Sequence, residues 1–261
     1  MQDLLALVAG GLVGLVLGLI GGGGSILAVP LLLYLVGIED PHRAIGTGAL
    51  AVAANAAVTL IQHARRGTVK WPCAALFAVF GSVGAAIGSS IGKQVNGQQL
   101  LFLFGLIMVA VAAAMVRSRQ ATGAEEVHLT RRMAPRLAAV SFAVGSVAGF
   151  FGIGGGFLIV PGLLAGSGMP LINAIGSSLL SVGLFGLTTA VTYALSGLVA
   201  WPIALEFILG GLVGGWLGTR LGGRLAQQRT TLTRVFAGVV GAVAVYILWR
   251  SAPATWALLM G

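Results

Sequence analysis

Residues 18 to 30 of the chain read GLIGGGGSILAVP, and residues 149 to 161 read GFFGIGGGFLIVP. At an offset of 131, Gly18, Gly21, Gly23, Gly24, Leu27, Val29 and Pro30 each meet an identical residue, seven positions of thirteen. At an offset of 130 the agreement continues. Ala44-Ile45-Gly46 recurs at Ala174-Ile175-Gly176, and Gly67, Val69, Trp71 and Pro72 recur as Gly197, Val199, Trp201 and Pro202. Gly84, Gly88 and Gly92 recur as Gly214, Gly218 and Gly222. Apolar sequences share scattered Leu and Val by chance, whereas ungapped agreement of Gly, Trp and Pro marks a duplication. The chain folds as two related halves, and whatever the Gly-rich break does is done twice.

Around each break lie five apolar segments. In the first half they are Leu4 to Ile20, Ile26 to Val36, Ala44 to His63, Pro72 to Gly92 and Gln99 to Val116, with counterparts after Pro135. Four of the five have the roughly 17–25 residues that cross a hydrocarbon core of about 30 Å. With a mean hydropathy of +1.01 and 8% charged residues, nothing is left over for a soluble domain. The expected fold class is an all-α membrane protein, a multi-pass helical bundle. Asp3 and the lack of a basic n-region argue against a cleaved signal peptide. The net charge of +9 sits in loops without interleaved aromatics. Positive-inside bias and anionic headgroups explain it better than a nucleic-acid partner. A single cysteine, Cys73, excludes an internal disulfide or a CxxC motif.

The second segment of each half is short. Eleven residues, Ile26 to Val36, rise about half a bilayer, so the Gly-rich break joins a long helix to a half-helix. If the pair crosses once, the halves are parallel and the 15 basic residues divide 9 to 6 between the two sides. If the pair folds back as a hairpin, the halves are inverted. Twelve basic residues then share one side, and only Arg43, Lys93 and Arg250 lie opposite. The positive-inside rule favours inverted repeats, although a parallel bundle stays open as the alternative. The expected division is a first repeat at 1–116, a basic cytoplasmic linker at 117–134 and a second repeat at 135–261, with both termini outside.

Gly84, Gly88 and Gly92, like Gly214, Gly218 and Gly222, recur every fourth residue and read as close-packing faces between helices. The clusters at the breaks are different, because consecutive glycines make a poor helix and bare backbone cannot face lipid. A half-helix N-terminus there would favour an anion. The expected substrate site comprises Gly21, Gly22, Gly23, Gly24 and Ser25 facing Gly152, Gly154, Gly155 and Gly156. It is lined by the polar stripes of the third helices: Thr47 and Asn55 in one half, Ser177, Ser178 and Ser181 in the other. Tight turns that only allow packing are the bland alternative. Glu206 and His63 read as interface residues. No triad, paired-carboxylate or metal-ligand cluster occurs, so neither an enzyme nor a bound metal or cofactor is expected. Oligomeric state, including a homo-oligomer, is left open.

These features together resemble the TauE/SafE family of sulfite and organosulfonate exporters, over nearly the whole chain. The resemblance is carried by the paired Gly-rich segments ending in Val29-Pro30 and Val160-Pro161, by AIGTG at Ala44 and AIGSS at Ala174, by the Gly-x-Val-x-Trp-Pro pair, and by the basic linker. It implies an inner-membrane permease for small sulfur-containing anions such as sulfite, sulfoacetate or related sulfonates. A cell interior at negative potential drives an anion outward by about 2.3 kcal/mol per charge per 100 mV, so export needs no coupling ion. A non-transporting scaffold and a permease for another anion are the competing readings.

Overall fold

The computed structural model describes residues 1–117, 129–152, 154–224 and 229–260, and all its regular elements are helical. In the first half, α1 (Gln2–Ile20) is followed by a 3-10 segment (Gly22–Leu27), α2 (Ala28–Tyr34), α3 (Pro41–Arg65), α4 (Trp71–Gly92) and α5 (Gly97–Arg117). The second half repeats the order with α6 (Met133–Phe151), α7 (Gly156–Ser167), α8 (Leu171–Ala194), α9 (Trp201–Arg224) and α10 (Arg229–Met260). Among the described residues, α1, α3, α4, α5, α6, α8 and α9 are long and apolar enough to cross a membrane. Most of the basic linker, including Arg119, lies outside the described residues.

Local chemistry sets the helix starts. Asp40 caps α3, its Oδ1 accepting the His42 amide at 2.9 Å, and Pro41 occupies the first turn, where a missing N–H costs nothing. The Trp-Pro pairs Trp71-Pro72 and Trp201-Pro202 open α4 and α9 in the same way. Both tryptophans are exposed, as expected of aromatic rings at a membrane interface.

The short segment does not form one half-helix in the first half. Its leading residues are drawn into the 3-10 segment, and α2 keeps seven residues. In either half the chain turns back on itself. Gln2 Nε2 donates to Val36 O at 3.1 Å, bringing the start of α1 beside the end of α2. A Cβ on Gly166 would sit 2.6 Å from Leu137 Cδ1, and one on Gly162 would sit 3.2 Å from Val144 Cγ2. These contacts make α6 and α7 an antiparallel hairpin.

Small residues fix how the helices pair. α1 runs parallel to α9: a Cβ on Gly10 would lie 2.8 Å from Phe207 Cα, and one on Gly18 would lie 2.7 Å from Thr219 N. α6 runs parallel to α4, with Gly145 against Gly81 and Gly88 against Ser146 and Phe150. The regularly spaced glycines therefore let backbones approach at these two seams, Gly84, Gly88 and Gly92 at one and Gly214 and Gly218 at the other. α3 crosses α8 in the antiparallel sense, Gly46 lying by Tyr193, Gly186 by Ala49 and Ala53, and Gly176 by Thr68. α5 and α10 also pair, Gly105 against Leu248 and Gly241 against Ala112. Exchanging the halves, α1 for α6 and so on, maps each of these contacts onto another, so the bundle has internal two-fold pseudosymmetry. α3 and α8 form its middle, with two-thirds of each span buried.

Polar contacts close the two ends. Arg66 Nη1 donates to Thr219 O at 3.2 Å, joining the C-terminal ends of α3 and α9. Lys93 Nζ donates to Thr192 O at 3.3 Å and to Ser196 Oγ at 2.9 Å, joining those of α4 and α8 at the other end. Each cation sits where the helix dipole is negative.

Candidate functional site

The first break turns at Gly21, whose φ of 79° and ψ of −149° suit glycine alone. The second turns through Gly152, Gly154 and Gly155, all left-handed with φ of 67°, 66° and 67°. No non-glycine residue has a positive φ among the described residues, so the strained backbone is confined to glycines. The space around them is equally tight. A Cβ on Gly21 would lie 2.6 Å from Ile175 Cγ2, and one on Gly152 would overlap Ile45 Cγ2. Ile45 and Ile175 are repeat mates, so each hairpin tip is seated against the same residue of the opposite half.

The two breaks come together: α7 packs against the 3-10 segment, and both touch α8. Gly154 lies beside Val52 and Val182, midway along α3 and α8, so α7 starts in the middle of the bundle. The first amides of a helix have no intrahelical acceptor, and they carry the positive end of its dipole. Ser25, Gly23, Gly24, Gly155 and Gly156 are all buried around this meeting point.

The polar stripes divide into hydroxyls that hold the backbone and groups without a protein partner. The Ala200 amide donates to Thr47 Oγ1 at 2.9 Å, and the Lys70 amide donates to Ser177 Oγ at 2.9 Å. Thr47 and Ser177 are repeat mates, as are Lys70 and Ala200, so each half latches the start of the other half's fourth helix. Ser178 Oγ donates to Ile175 O at 2.8 Å, and Thr59 Oγ1 donates to Asn55 O at 2.8 Å. By contrast, both polar atoms of the Asn55 side chain are buried without a hydrogen bond, as are Ser181 Oγ, Thr189 Oγ1 and Tyr193 OH.

The site expected from the sequence includes neither Thr189 nor Tyr193. The signal for Tyr193 was its match to His63, a polar residue at the same repeat position. His63 is buried rather than interfacial, its Nδ1 3.0 Å from Thr68 Oγ1. Glu206 is half-buried in the second turn of α9, with Oε2 unpartnered. Among the described residues no three His, Cys, Asp or Glu side chains gather as a metal site would require. A cavity of about 810 Å³ lies between α1, α2 and α10, lined by apolar residues and by Tyr34 and Tyr246. Its lining includes none of the unpartnered polar groups.

A family model described as Sulfite exporter TauE/SafE matches residues 6–247. A probable membrane transporter protein of Xylella fastidiosa (strain 9a5c) is 54% identical over 253 residues, covering 97% of this chain and 95% of its own. Probable membrane transporter protein YunE of Bacillus subtilis is 27% identical, covering 80% of this chain and 85% of its own. An archaeal relative, probable membrane transporter protein MJ0441 of Methanocaldococcus jannaschii, is 27% identical over 71% of this chain and 68% of its own. No solved structure matches.

Proposed function

Since the chain belongs to the TauE/SafE family of membrane transporters, we propose that it is an inner-membrane permease moving small sulfur-containing anions outward, with sulfite, sulfoacetate or related organosulfonates as substrates. The observation that carries this reading is the meeting of two glycine-tipped hairpins in the middle of the bundle, where a Cβ on Gly152 would lie 3.6 Å from Cγ2 of Thr189, a buried residue whose hydroxyl has no partner. Irregular backbone at that depth is stable only where protein or a polar ligand covers it. The amides at the start of α7 offer donors and positive potential there without a buried cation, which suits an anion of low charge.

Within this reading the substrate contacts are the backbone of Gly21, Gly22, Gly23, Gly24, Gly152, Gly154, Gly155 and Gly156, with Ser25, Asn55 and Ser181 beside them. Thr47, Ser177 and Ser178 hold that frame. The antiparallel pairing of α3 with α8 and the Gln2–Val36 contact support inverted repeats, divided as 1–116 and 135–261 with the linker cytoplasmic. Alternating access then consists of one hairpin opening while the other closes. The membrane potential drives monoanion efflux by about 2.3 kcal/mol per 100 mV.

The test is flux of sulfite and sulfoacetate from loaded proteoliposomes under an imposed potential of either sign. Flux carrying net negative charge that follows the potential supports the permease. Absence of flux for every small sulfur anion, in protein shown to be folded, overturns it.

A further inference from the structure

Asn55 lies midway along α3, 1% exposed, with neither Nδ2 nor Oδ1 hydrogen-bonded to protein. Its repeat mate is Phe185, and the surroundings of the two residues also match. The Asn55 carboxamide lies over Gly211 of α9, its Cγ 2.5 Å from where a Cβ would fall. The Phe185 ring lies over Gly81 of α4, the mate of Gly211, and stacks on Phe77 with centroids 6.3 Å apart. One niche is thus built twice. In the second half an aromatic ring fills it; in the first half it holds a bare carboxamide. A niche that packs well around phenylalanine does not need an amide in order to fold, and an unpartnered buried amide destabilises the protein that carries it.

We propose that Asn55 is the residue that reads the transported anion, and that it narrows the substrates named above to a singly charged oxyanion that still bears a proton, at the expense of sulfoacetate and other sulfonates. This rests on the permease reading above. A carboxamide offers two N–H donors and one acceptor oxygen. A hydrogen sulfite ion satisfies both ends, its oxygen accepting from Nδ2 and its O–H donating to Oδ1. A sulfite dianion has acceptors only, so it would face Oδ1 with like polarity. A second negative charge would also need a cation in the middle of the bundle. Arg66 and Lys93 are instead committed to backbone carbonyls at the two ends. The two niches therefore differ in kind: the first half presents a carboxamide where the second presents an aromatic ring.

The titratable groups described on the helices around α3 lie toward helix ends: Asp3 on α1, Tyr34 on α2, Tyr193 on α8, Glu206 and Arg220 on α9, and His42, Arg43, His63 and Arg65 on α3 itself. Glu206 is nearest in register, five residues before Gly211.

The experiment measures labelled sulfite efflux from proteoliposomes across the second ionisation of sulfite at fixed potential, after subtracting leak from protein-free vesicles. Methanesulfonate, a monoanion without a proton, serves as comparison. The expected result is flux that tracks the hydrogen sulfite fraction and exceeds methanesulfonate flux. Asn55→Leu should fold as well as the parent and lose about tenfold or more of the sulfite flux, the size of a hydrogen bond to a charged group. Asn55→Asp, nearly isosteric and acceptor-only when ionised, should lose at least as much at the alkaline end of the pH range, which keeps the test decisive if the leucine variant fails to fold. The pH profile should survive Glu206→Gln. Flux that follows the dianion, full flux in Asn55→Leu or, at the alkaline end of the range, in Asn55→Asp, or a profile abolished by Glu206→Gln overturns the assignment while leaving a permease. Absence of flux for every anion removes both.

Discussion

Replacing Gly21 with alanine tests whether the hairpin tips are locked by geometry. The substitution forces an L-residue into a backbone region that glycine alone occupies readily, at a cost of about 1–3 kcal/mol. It also drives a methyl to 2.6 Å from Ile175 Cγ2, inside contact distance. Overpacking of that kind typically costs about 1–3 kcal/mol more. Gly67 is the comparison for a positive φ alone, because its φ is +69° and a Cβ there would meet nothing within 4 Å. Gly67→Ala therefore carries strain without the collision.

In purified protein the thermal midpoint should fall further for Gly21→Ala than for Gly67→Ala. The added 1–3 kcal/mol corresponds to roughly 2 °C or more in a chain of this size. A cycle with Ile175→Ala isolates the collision, since removing Cγ2 relieves the new methyl and should give a coupling of about 1 kcal/mol or more. Gly152→Ala and Ile45→Ala should repeat the pattern in the other half. Equal midpoints for Gly21→Ala and Gly67→Ala, or a coupling below about 0.5 kcal/mol, would refute the seating of the tip on Ile175.

Two further outcomes follow from the pseudosymmetry. Thr47→Ala and Ser177→Ala each deprive one helix-start amide of its acceptor, so both should lower stability by about 0.5–2 kcal/mol and to a similar extent, with the KM for transport unchanged. A change confined to KM would instead place the hydroxyls on the substrate. With Cys73 replaced, cysteines at the exposed positions Arg65 and Ser196 should label from opposite sides of the membrane; labelling from one side contradicts inverted repeats.

Much of this architecture could be read before any coordinates, because duplication and glycine spacing are written at the level of residue identity. Gly84, Gly88 and Gly92 announced a close helix contact, and they make one. The partner was not legible: that α4 meets α6 while α1 meets α9 depends on how two halves interlock, which no local pattern encodes. The same holds for the stripe residues. Thr47 and Ser177 look like Asn55 and Ser181 in sequence, each a small polar group on a helix face. Only the position of the other half's fourth helix decides which hydroxyl accepts a backbone amide and which group stays unpartnered. His63 shows the converse error, an apparent interface residue buried because the loop after α3 folds back over it through Thr68.

The two breaks are alike in sequence and unlike in conformation. Gly23 and Gly24 lie in a right-handed 3-10 segment, whereas their mates Gly154 and Gly155 are left-handed. A 3-10 conformation is open to any L-residue, so the resting backbone does not by itself account for glycine at 23. If alternating access exchanges the roles of the two halves, Gly23 must visit the left-handed conformation now held by Gly154, and glycine is needed there for the transit. Gly23→Ala should then add no backbone strain to the resting state, so its thermal midpoint should stay above that of Gly154→Ala. Sulfite efflux should nevertheless fall, by about tenfold for a strain near 1.4 kcal/mol in the obligatory other state. Gly154→Ala places the same strain in the resting state and should lower the midpoint outright. Parental efflux in Gly23→Ala would mean that the first break keeps its 3-10 form throughout transport, with the second half alone doing the moving.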